Sequence, residues 1–311
     1  MPSTLGTPQG QASSESPGRK AAGAVATIDP RWFQIAFVGC FLAFGALAKD
    51  FALTGAQVLG ALSASLLTQA FWLRRLGLPA QGVAPYLSAV ITAIGISVLV
   101  RAESLWVHPL LAAVACSSKF LIRAGTGAQR SHVFNPANLA AFLAFALVPG
   151  AWLSPGQWGS ETLLALWLVA LGAWVTRCVG RLDISLSFLL AWGGLLAARL
   201  WWLETEAALA VSIWWHQFST GSLLLFAFFM ISDPMTTPRT RSLRVAYAVL
   251  VAVAAFVWQF VLYKPHGLIV MLLVFSPLVP LLNLWWPGAR PLWRPTGGTS
   301  PPHPPSVVPG L

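Results

Sequence analysis

Residues 216–238 read HQFSTGSLLLFAFFMISDPMTTP, and this stretch indicates how the chain is built. Its apolar run from Leu223 to Ile231 ends at Ser232-Asp233-Pro234. Pro234 and Pro238 lack a backbone donor and stop a helix, so we expect an apolar helix followed by a short stiff turn. Three arginines follow within the next six residues, as is common where a helix ends at a membrane surface.

The composition of the whole chain is that of a membrane protein. Of its 311 residues 57% are hydrophobic and 9% are charged, and several apolar runs approach the thickness of a bilayer. The formal charge of +10 comes from basic residues placed singly or in small groups between apolar runs. This pattern predicts a lipid bilayer as partner and excludes a nucleic-acid-binding face. The three cysteines are scattered without metal-ligand spacing, so we expect structural thiols and no metal site.

The chain divides into two tails and a membrane domain. Residues 1–30 and the proline-rich residues 288–311 are predicted to be disordered, and we expect the first to be a cytoplasmic tail without a signal sequence. Residues 31–287 hold the apolar runs, and the segment 203–216 is short and amphipathic. Ten spans are predicted, at 33–48, 53–73, 84–100, 104–122, 134–153, 159–177, 184–202, 217–232, 243–262 and 267–286.

Charge counting predicts the orientation. With the N-terminus inside, fifteen of the nineteen Lys and Arg residues lie on the cytoplasmic side and four lie outside. This positive-inside bias places both termini in the cytoplasm. We therefore expect an all-α polytopic protein of the bacterial cytoplasmic (inner) membrane.

Three landmarks recur at similar offsets and suggest two inverted five-helix halves, about 31–155 and 156–287. The span starts near Trp32 and Gly159 form the first pair. His108-Pro109 pairs with Asp233-Pro234, and Asn135-Pro136 pairs with Lys264-Pro265. Chance alignment of prolines stays open as the alternative. An inverted repeat would place a binding site between the halves, where helices break.

The loop before the fifth span is the first candidate binding element. Gly125, Thr126 and Gly127 allow tight turns with free amides, Arg130 adds positive charge, and Asn135-Pro136 begins a helix whose N-terminus favours an anion. A phosphate or the polar edge of a flavin suits such a loop. The alternative is a basic loop with an ordinary asparagine cap.

The second candidate element is the turn Ser232-Asp233-Pro234 with Thr237. Asp233 is the carboxylate closest to a span and could bind a cation or orient a flavin ring. It could equally cap its own turn through nearby amides. No arrangement of nucleophile, base and acid supports hydrolysis, so we predict no catalytic residue.

These residues also carry a resemblance. Residues 125–139, with Gly-Thr-Gly and His-Val-Phe-Asn-Pro-Ala-Asn-Leu, resemble the Gly-rich Phe-Asn-Pro-Ala motif of the RnfD/NqrB family of membrane electron-transport subunits. Residues 216–238 are similar to the second signature of that family, a Gly-Ser/Thr run followed by Phe-Phe and Ser/Thr-Asp-Pro. The resemblance covers about residues 30–287 and is closest to the shorter, UnbU-like branch labelled enediyne biosynthesis protein.

The resemblance implies ten spans in two inverted halves, flavin binding and service in a redox-driven Na+ or H+ pump with other subunits. In the family, FMN is attached to the threonine of a Ser-x-Ala-Thr motif, which this sequence does not contain. Ser160-Glu161-Thr162 is the nearest string, so Thr162 is a weak candidate for covalent flavin. We expect FMN or riboflavin to bind without a covalent bond.

Three functions follow as hypotheses. The first is a subunit for electron transport coupled to ion translocation, with flavin held between the halves. The second is a permease or exporter of a small solute or natural product on the same scaffold. The third is a scaffold subunit without activity of its own.

Overall fold

A computed structural model describes residues 29–48, 52–125, 130–153 and 162–288. Almost all of the two predicted tails lies outside these residues. The described part is dominated by helices joined by short turns. The first half holds α1 (Pro30–Ala48), α2 (Gly55–Arg75), α3 (Leu87–Leu99), α4 (Val107–Leu121) and α5 (Pro136–Leu147).

The second half holds α6 (Thr162–Cys178), α7 (Leu182–Trp202), α8 (Ala207–Phe218), α9 (Gly221–Leu225), α10 (Arg241–Phe256), α11 (Gly267–Phe275) and α12 (Leu278–Trp285). Two of these helices end in a wider π-helical turn. Phe226–Met230 continues α9, and Val257–Val261 continues α10.

Two short antiparallel ribbons interrupt the helices of the first half, and the sequence did not predict them. β1 (Val100–Ala102) pairs with β4 (Ala151–Leu153), with Arg101 opposite Trp152. β2 (Arg123–Ala124) pairs with β3 (Ser131–His132), with Arg123 opposite His132. The first ribbon occupies the ends of predicted spans, which are therefore shorter as helices than expected.

Local sequence explains where two of the helices begin. Thr54 and Gln57 form a capping box at the start of α2, in which each side chain accepts a bond from the backbone of the other. Asn135 caps α5 by accepting a bond from the Asn138 amide at 3.1 Å, and Pro136 occupies the first helical position.

Each of the ten predicted spans overlaps a helix, but the helices differ in length. Among the described residues four helices are long and apolar enough to cross a bilayer, namely α1, α2, α7 and α10 with its π turn. A fifth span results if α11 and α12, which are bent by 41°, count as one. The amphipathic segment predicted at 203–216 corresponds to α8. The structure is therefore that of a helical membrane protein.

The packing of the first half recurs in the second. α2 packs on α4 as α7 packs on α10, and α4 packs on α5 as α10 packs on α11. α1 packs on α3 as α6 packs on α9. Contacts between α1 and α6 and between α5 and α11 join the halves.

Small residues permit the closest helix contacts. A Cβ at Gly95 of α3 would lie 2.9 Å from the Ala137 Cβ, and a Cβ at Gly172 of α6 would lie 2.5 Å from the Phe228 ring. Such close approach is typical of helices packed in a membrane. It brings α3, α5, α6 and the π turn of α9 together around the candidate site.

Candidate functional site

A cavity of about 140 Å³, here called cavity 1, lies where the two predicted binding elements meet. Its walls come from α1, α3, α4, α6, the start of α5 and the turn after α9. The polar and charged side chains that line it are Arg31, Gln34, Ser88, Thr92, Lys119, His132, Asn135, Thr176, Ser232 and Asp233. It therefore draws on both halves of the chain.

Asn135 and Asp233 connect the two elements directly. The Asn135 Nδ2 donates to Asp233 Oδ2 and to the Met230 carbonyl, each at 3.4 Å. The His132 Nε2 lies 3.7 Å from the same carboxylate oxygen, an ion-pair distance rather than a hydrogen bond. Residues almost one hundred positions apart thus meet at one carboxylate.

Asp233 also organises its own turn. Its Oδ1 accepts a bond from the Met235 amide at 3.0 Å, and its carbonyl accepts one from the Thr236 amide at 3.1 Å. Burial alone would raise the pKa of this carboxyl, but His132, the Met235 amide and the Thr236 side chain outweigh burial and hold the pKa below its usual value. Asp233 is therefore a carboxylate at neutral pH, and it caps its turn while it faces cavity 1.

Lys119 is a charged residue of cavity 1 that the sequence did not predict as part of the site. It is 9% exposed in the last turn of α4, and its Nζ lies 3.5 Å from the hydroxyls of Ser88 and Thr92. Asp233 attracts this ammonium electrostatically. The signal was present, because a charged residue inside the predicted span 104–122 is expensive in a membrane and usually functional.

Thr237 belongs to a neighbouring polar cluster rather than to cavity 1. Its hydroxyl accepts a bond from the Arg181 Nε at 3.1 Å. Burial, followed by the nearby Arg244, lowers the pKa of Arg181 to about 10. Arg244 binds Asp183 through Nε at 2.9 Å, so this cluster ties α7 to α10.

The remaining predicted site residues have other positions. Gly125 follows β2 with φ +98°, a conformation that glycine adopts readily, and it does not line cavity 1. Arg130 is exposed, and its carbonyl accepts a bond from Arg123. Thr126, Gly127 and the side chain of Thr162 lie outside the described residues. Within the described residues no group of three His, Cys, Asp or Glu side chains could hold a metal ion.

A second cavity of about 320 Å³, here called cavity 2, lies towards the other end of α9. The rings of Trp192 and Phe226 line it, and the start of α11 at Gly267 faces it. Its polar lining residues are Gln217, Thr220, Ser222, Gln259 and His266. None of these residues was predicted as a site, because each alone is an ordinary polar residue near a helix end.

An apolar layer lies between the two cavities. Leu99, Leu225 and Met230 line both of them. All three are buried or half-buried, and they come from α3 and from α9 with its π turn. The α9 segment therefore runs from cavity 2 at Thr220 to cavity 1 at Asp233.

The size of cavity 1 decides what it can hold. An engineered protein cavity of about 150 Å³ binds benzene. Cavity 1, at about 140 Å³, is similar in volume and does not fit the three fused rings of a flavin. It suits a small ion with water. Cavity 2 is more than twice as large and offers aromatic walls with a few polar groups, as expected of a site for a planar ring.

Comparison with known proteins relates the second half of the chain to a known family. Residues 150–288, which include α9, the Asp233 turn and most of cavity 2, match the model of the NQR2, RnfD, RnfE family. This part of the chain is similar to that family. The RnfD/NqrB resemblance seen in the signatures is confirmed, while the assignment to the shorter branch stays a prediction.

A relative from Klebsiella pneumoniae (strain 342) gives the same result. Over 135 residues the chain is 32% identical to RnfD of that bacterium, a component of its ion-translocating oxidoreductase complex. The match covers 43% of this chain and 33% of that protein, so it spans about a third of the length of the relative.

Proposed function

We propose that this chain is a membrane subunit of an electron-transport complex that couples a redox reaction to the movement of an ion. The observation that carries the proposal is the meeting of the two family signatures at Asn135 and Asp233 across cavity 1. The family match supports it, as does the ion-translocating complex to which the Klebsiella relative belongs. Ten spans in two inverted halves, with both termini in the cytoplasm of a bacterium, complete the proposal.

The ion would pass between the halves. Cavity 1 offers charged and hydroxyl groups beside Arg31 and Asp233, and cavity 2 lies towards the other end of α9. The layer of Leu99, Leu225 and Met230 would keep the two apart until a conformational change opens it. Interrupted helices are a common way to build such a path, and here α9 continues into a π turn and α11 is bent against α12.

Flavin binding without a covalent bond forms the second part of the proposal, and cavity 2 is the place that its volume supports. When bound there, FMN or riboflavin would supply reversible electron transfer. Trp192 would stack on the ring, and Gln217 and Gln259 would hydrogen-bond its polar edge. Gly125 and Arg130, which were predicted to bind the cofactor, do not line cavity 2.

The visible spectrum of the purified protein tests the flavin proposal. We expect flavin absorbance that acid precipitation releases into the supernatant and that Trp192→Leu reduces severalfold. Trp201→Leu is the matched control, because Trp201 lies on the same helix but is 80% exposed. A folded protein without flavin absorbance would exclude the cofactor.

Ion leak through the apolar layer tests the path. Met230→Ala and Leu225→Ala shorten two side chains of the layer, and we expect each to raise passive ion entry into proteoliposomes at least severalfold. Leu186→Ala on the outer side of α7, where the residue is 47% exposed, should leave the leak unchanged. Equal leak in all variants would argue against a path through this layer.

The second candidate function is solute transport, and the size of cavity 2 favours it. Two cavities on either side of a closed layer are also what a permease needs. A colourless protein whose thermal stability rises with a small organic solute, and in which Trp192→Leu abolishes that rise, would replace the electron-transport proposal by this one.

A further inference from the structure

Lys119 introduces a basic side chain into cavity 1. Its side chain is 9% exposed and extends from α4 towards α3, where the hydroxyls of Ser88 and Thr92 each lie 3.5 Å from Nζ. These are long contacts for three ammonium donors. Asp233 lines the same cavity and adds an electrostatic attraction to this ammonium.

A sodium ion in cavity 1 would need oxygen ligands from the polar lining of the cavity. The Asp233 Oδ1 already accepts a bond from Met235, the Asn135 Oδ1 accepts one from Asn138, and the Ser232 hydroxyl donates to the Phe228 carbonyl. Hard cations bind through several oxygen ligands at once. The Ser88 and Thr92 hydroxyls, two of the oxygen ligands in this lining, already face Lys119.

Charge gives the same answer. The charged and titratable groups around cavity 1 come from every wall, and they are Arg31 of α1, Cys116 and Lys119 of α4, His132 of β3, Arg181 before α7 and Asp233 after α9. Arg31 is bound to Asp29, which leaves Lys119 opposite Asp233 within the cavity. Two positive charges a few ångströms apart repel strongly where water is scarce. A sodium ion would have to displace the ammonium or share one carboxylate with it.

We propose that Lys119 makes cavity 1 reject sodium ions, so that the ion passed between the halves is a proton. This inference rests on the function proposed above and names its ion. A carboxylate such as Asp233 can take up a proton without the set of oxygen ligands that a sodium ion needs. Lys119 is thus a specificity-determining residue, and its ammonium takes the place that a bound sodium ion would occupy.

Thermal unfolding of the full-length protein in detergent tests the inference without any redox partner. A ligand that binds the folded state raises the midpoint of unfolding. We expect the midpoint of the wild type to be the same in sodium chloride and in choline chloride at equal concentration. Lys119→Gln should gain a sodium-dependent rise of a few degrees, because it frees the hydroxyls and Asp233 for sodium.

Three variants control this experiment. Lys119→Arg keeps the positive charge and should show no sodium effect, and Lys119→Gln combined with Asp233→Asn should lose the gain. Lys119→Met offers a second uncharged side chain should the glutamine variant fail to fold. A sodium-specific rise in the wild type, or its absence in a folded uncharged variant, would overturn the inference.

Ion flux separates this inference from the proposed function. In proteoliposomes with an imposed membrane potential, a pH-sensitive dye inside should report proton entry, and radioactive sodium should not enter. Sodium entry would overturn the proton assignment and leave the electron-transport proposal standing. A colourless protein that still excludes sodium would overturn the electron-transport proposal and leave the exclusion of sodium standing.

Discussion

The Asn138 side chain forms a direct hydrogen bond between the two halves. It is 1% exposed on α5, and its Nδ2 donates to the Ile269 carbonyl of α11 at 3.1 Å. Its backbone amide separately receives the cap from Asn135. Asn138 therefore links the start of α5 to the start of α11.

Replacing Asn138 should weaken the contact between the halves. We predict that Asn138→Leu lowers stability by about 1 kcal/mol, the net value of a typical hydrogen bond. Asn138→Asp should cost more, because a buried carboxylate would face the Ile269 carbonyl. Unfolding in sodium dodecyl sulfate, followed by tryptophan fluorescence, measures both.

Thr176→Val provides the control for this measurement. The Thr176 hydroxyl is equally buried but donates to the Gly172 carbonyl of its own helix. Its loss should change stability little. If this variant costs as much as Asn138→Leu, the bond between the halves has no special role.

Arg244 and Asp183 form the second residue-level test. Both side chains are about one-tenth exposed, and the arginine also donates to the Arg239 carbonyl at 2.7 Å. We predict that Arg244→Met costs about 3–5 kcal/mol, because it leaves a buried carboxylate without its partner. The double variant with Asp183→Asn should cost less than the sum of the two single variants. Additive losses in the same unfolding assay would show that the pair does not interact.

At this scale the sequence predicted part of the site. Asn135, Ser232, Asp233 and Pro234 surround one cavity, because short helix-ending motifs fix local geometry that a sequence reveals. Lys119 and the residues of cavity 2 were not predicted as site residues, since only the fold shows that they line cavities together with the signature motifs.

The crossing of α3 with α5, and of α6 with the π turn of α9, depends on single glycines. We predict that Gly95→Ala and Gly172→Ala each cost about 1–3 kcal/mol, because the added Cβ overlaps Ala137 or the Phe228 ring. Gly194→Ala on α7 meets nothing within 4 Å and should be neutral or stabilising. Equal effects at all three positions would mean that helix propensity, not contact, decides the result.

The short helix α8 depends on an exposed cap. The Glu206 carboxylate accepts bonds from the amides of Ala208 and Leu209, each at 3.0 Å, and these bonds hold its pKa below the usual value. A lowered pKa means that the cap is intact at neutral pH and is lost as the pH falls through the lowered pKa. We predict that hydrogen exchange of these two amides, corrected for the intrinsic rate, accelerates over that range. Glu206→Asp should keep the protection and Glu206→Ala should lose it at every pH.

Helix positions followed from the sequence more closely than helix lengths did. Apolar runs and prolines locate where each helix lies, and α8 agrees with the amphipathic segment. The strands β1 and β4 convert the ends of two predicted spans to extended chain. Their pairing joins residues about fifty positions apart, so no local pattern could predict it.

The whole molecule has a predicted orientation that can be tested directly. Reporter fusions in the loops 76–80 and 235–239 should be active only as cytoplasmic reporters, because the basic residues concentrate on that side. Fusions at 203–206 and 262–266 should be active only outside the cytoplasm. Any loop with the opposite result would remove the ten-span topology and with it the inverted repeat.

The repeat itself was visible in the sequence only as paired prolines. The recurring helix packing adds independent support, because matched helix pairs cannot arise from the placement of single residues. What the sequence could not reveal is that each half contributes the start of one helix, α5 or α11, to a different cavity.

The π turn at Phe226–Met230 sets the direction in which the residues after it, Ser232 and Asp233, face. A helix advances about 100° per residue, and a π turn contains about one more residue than an α turn. If this stretch were wound as an α-helix, Ser232 and Asp233 would be rotated by roughly that angle away from Asn135. A single-residue deletion within the turn that restores α-helical winding would therefore leave the carboxylate directed at Asn135, whereas the full-length segment needs the π turn to direct it there.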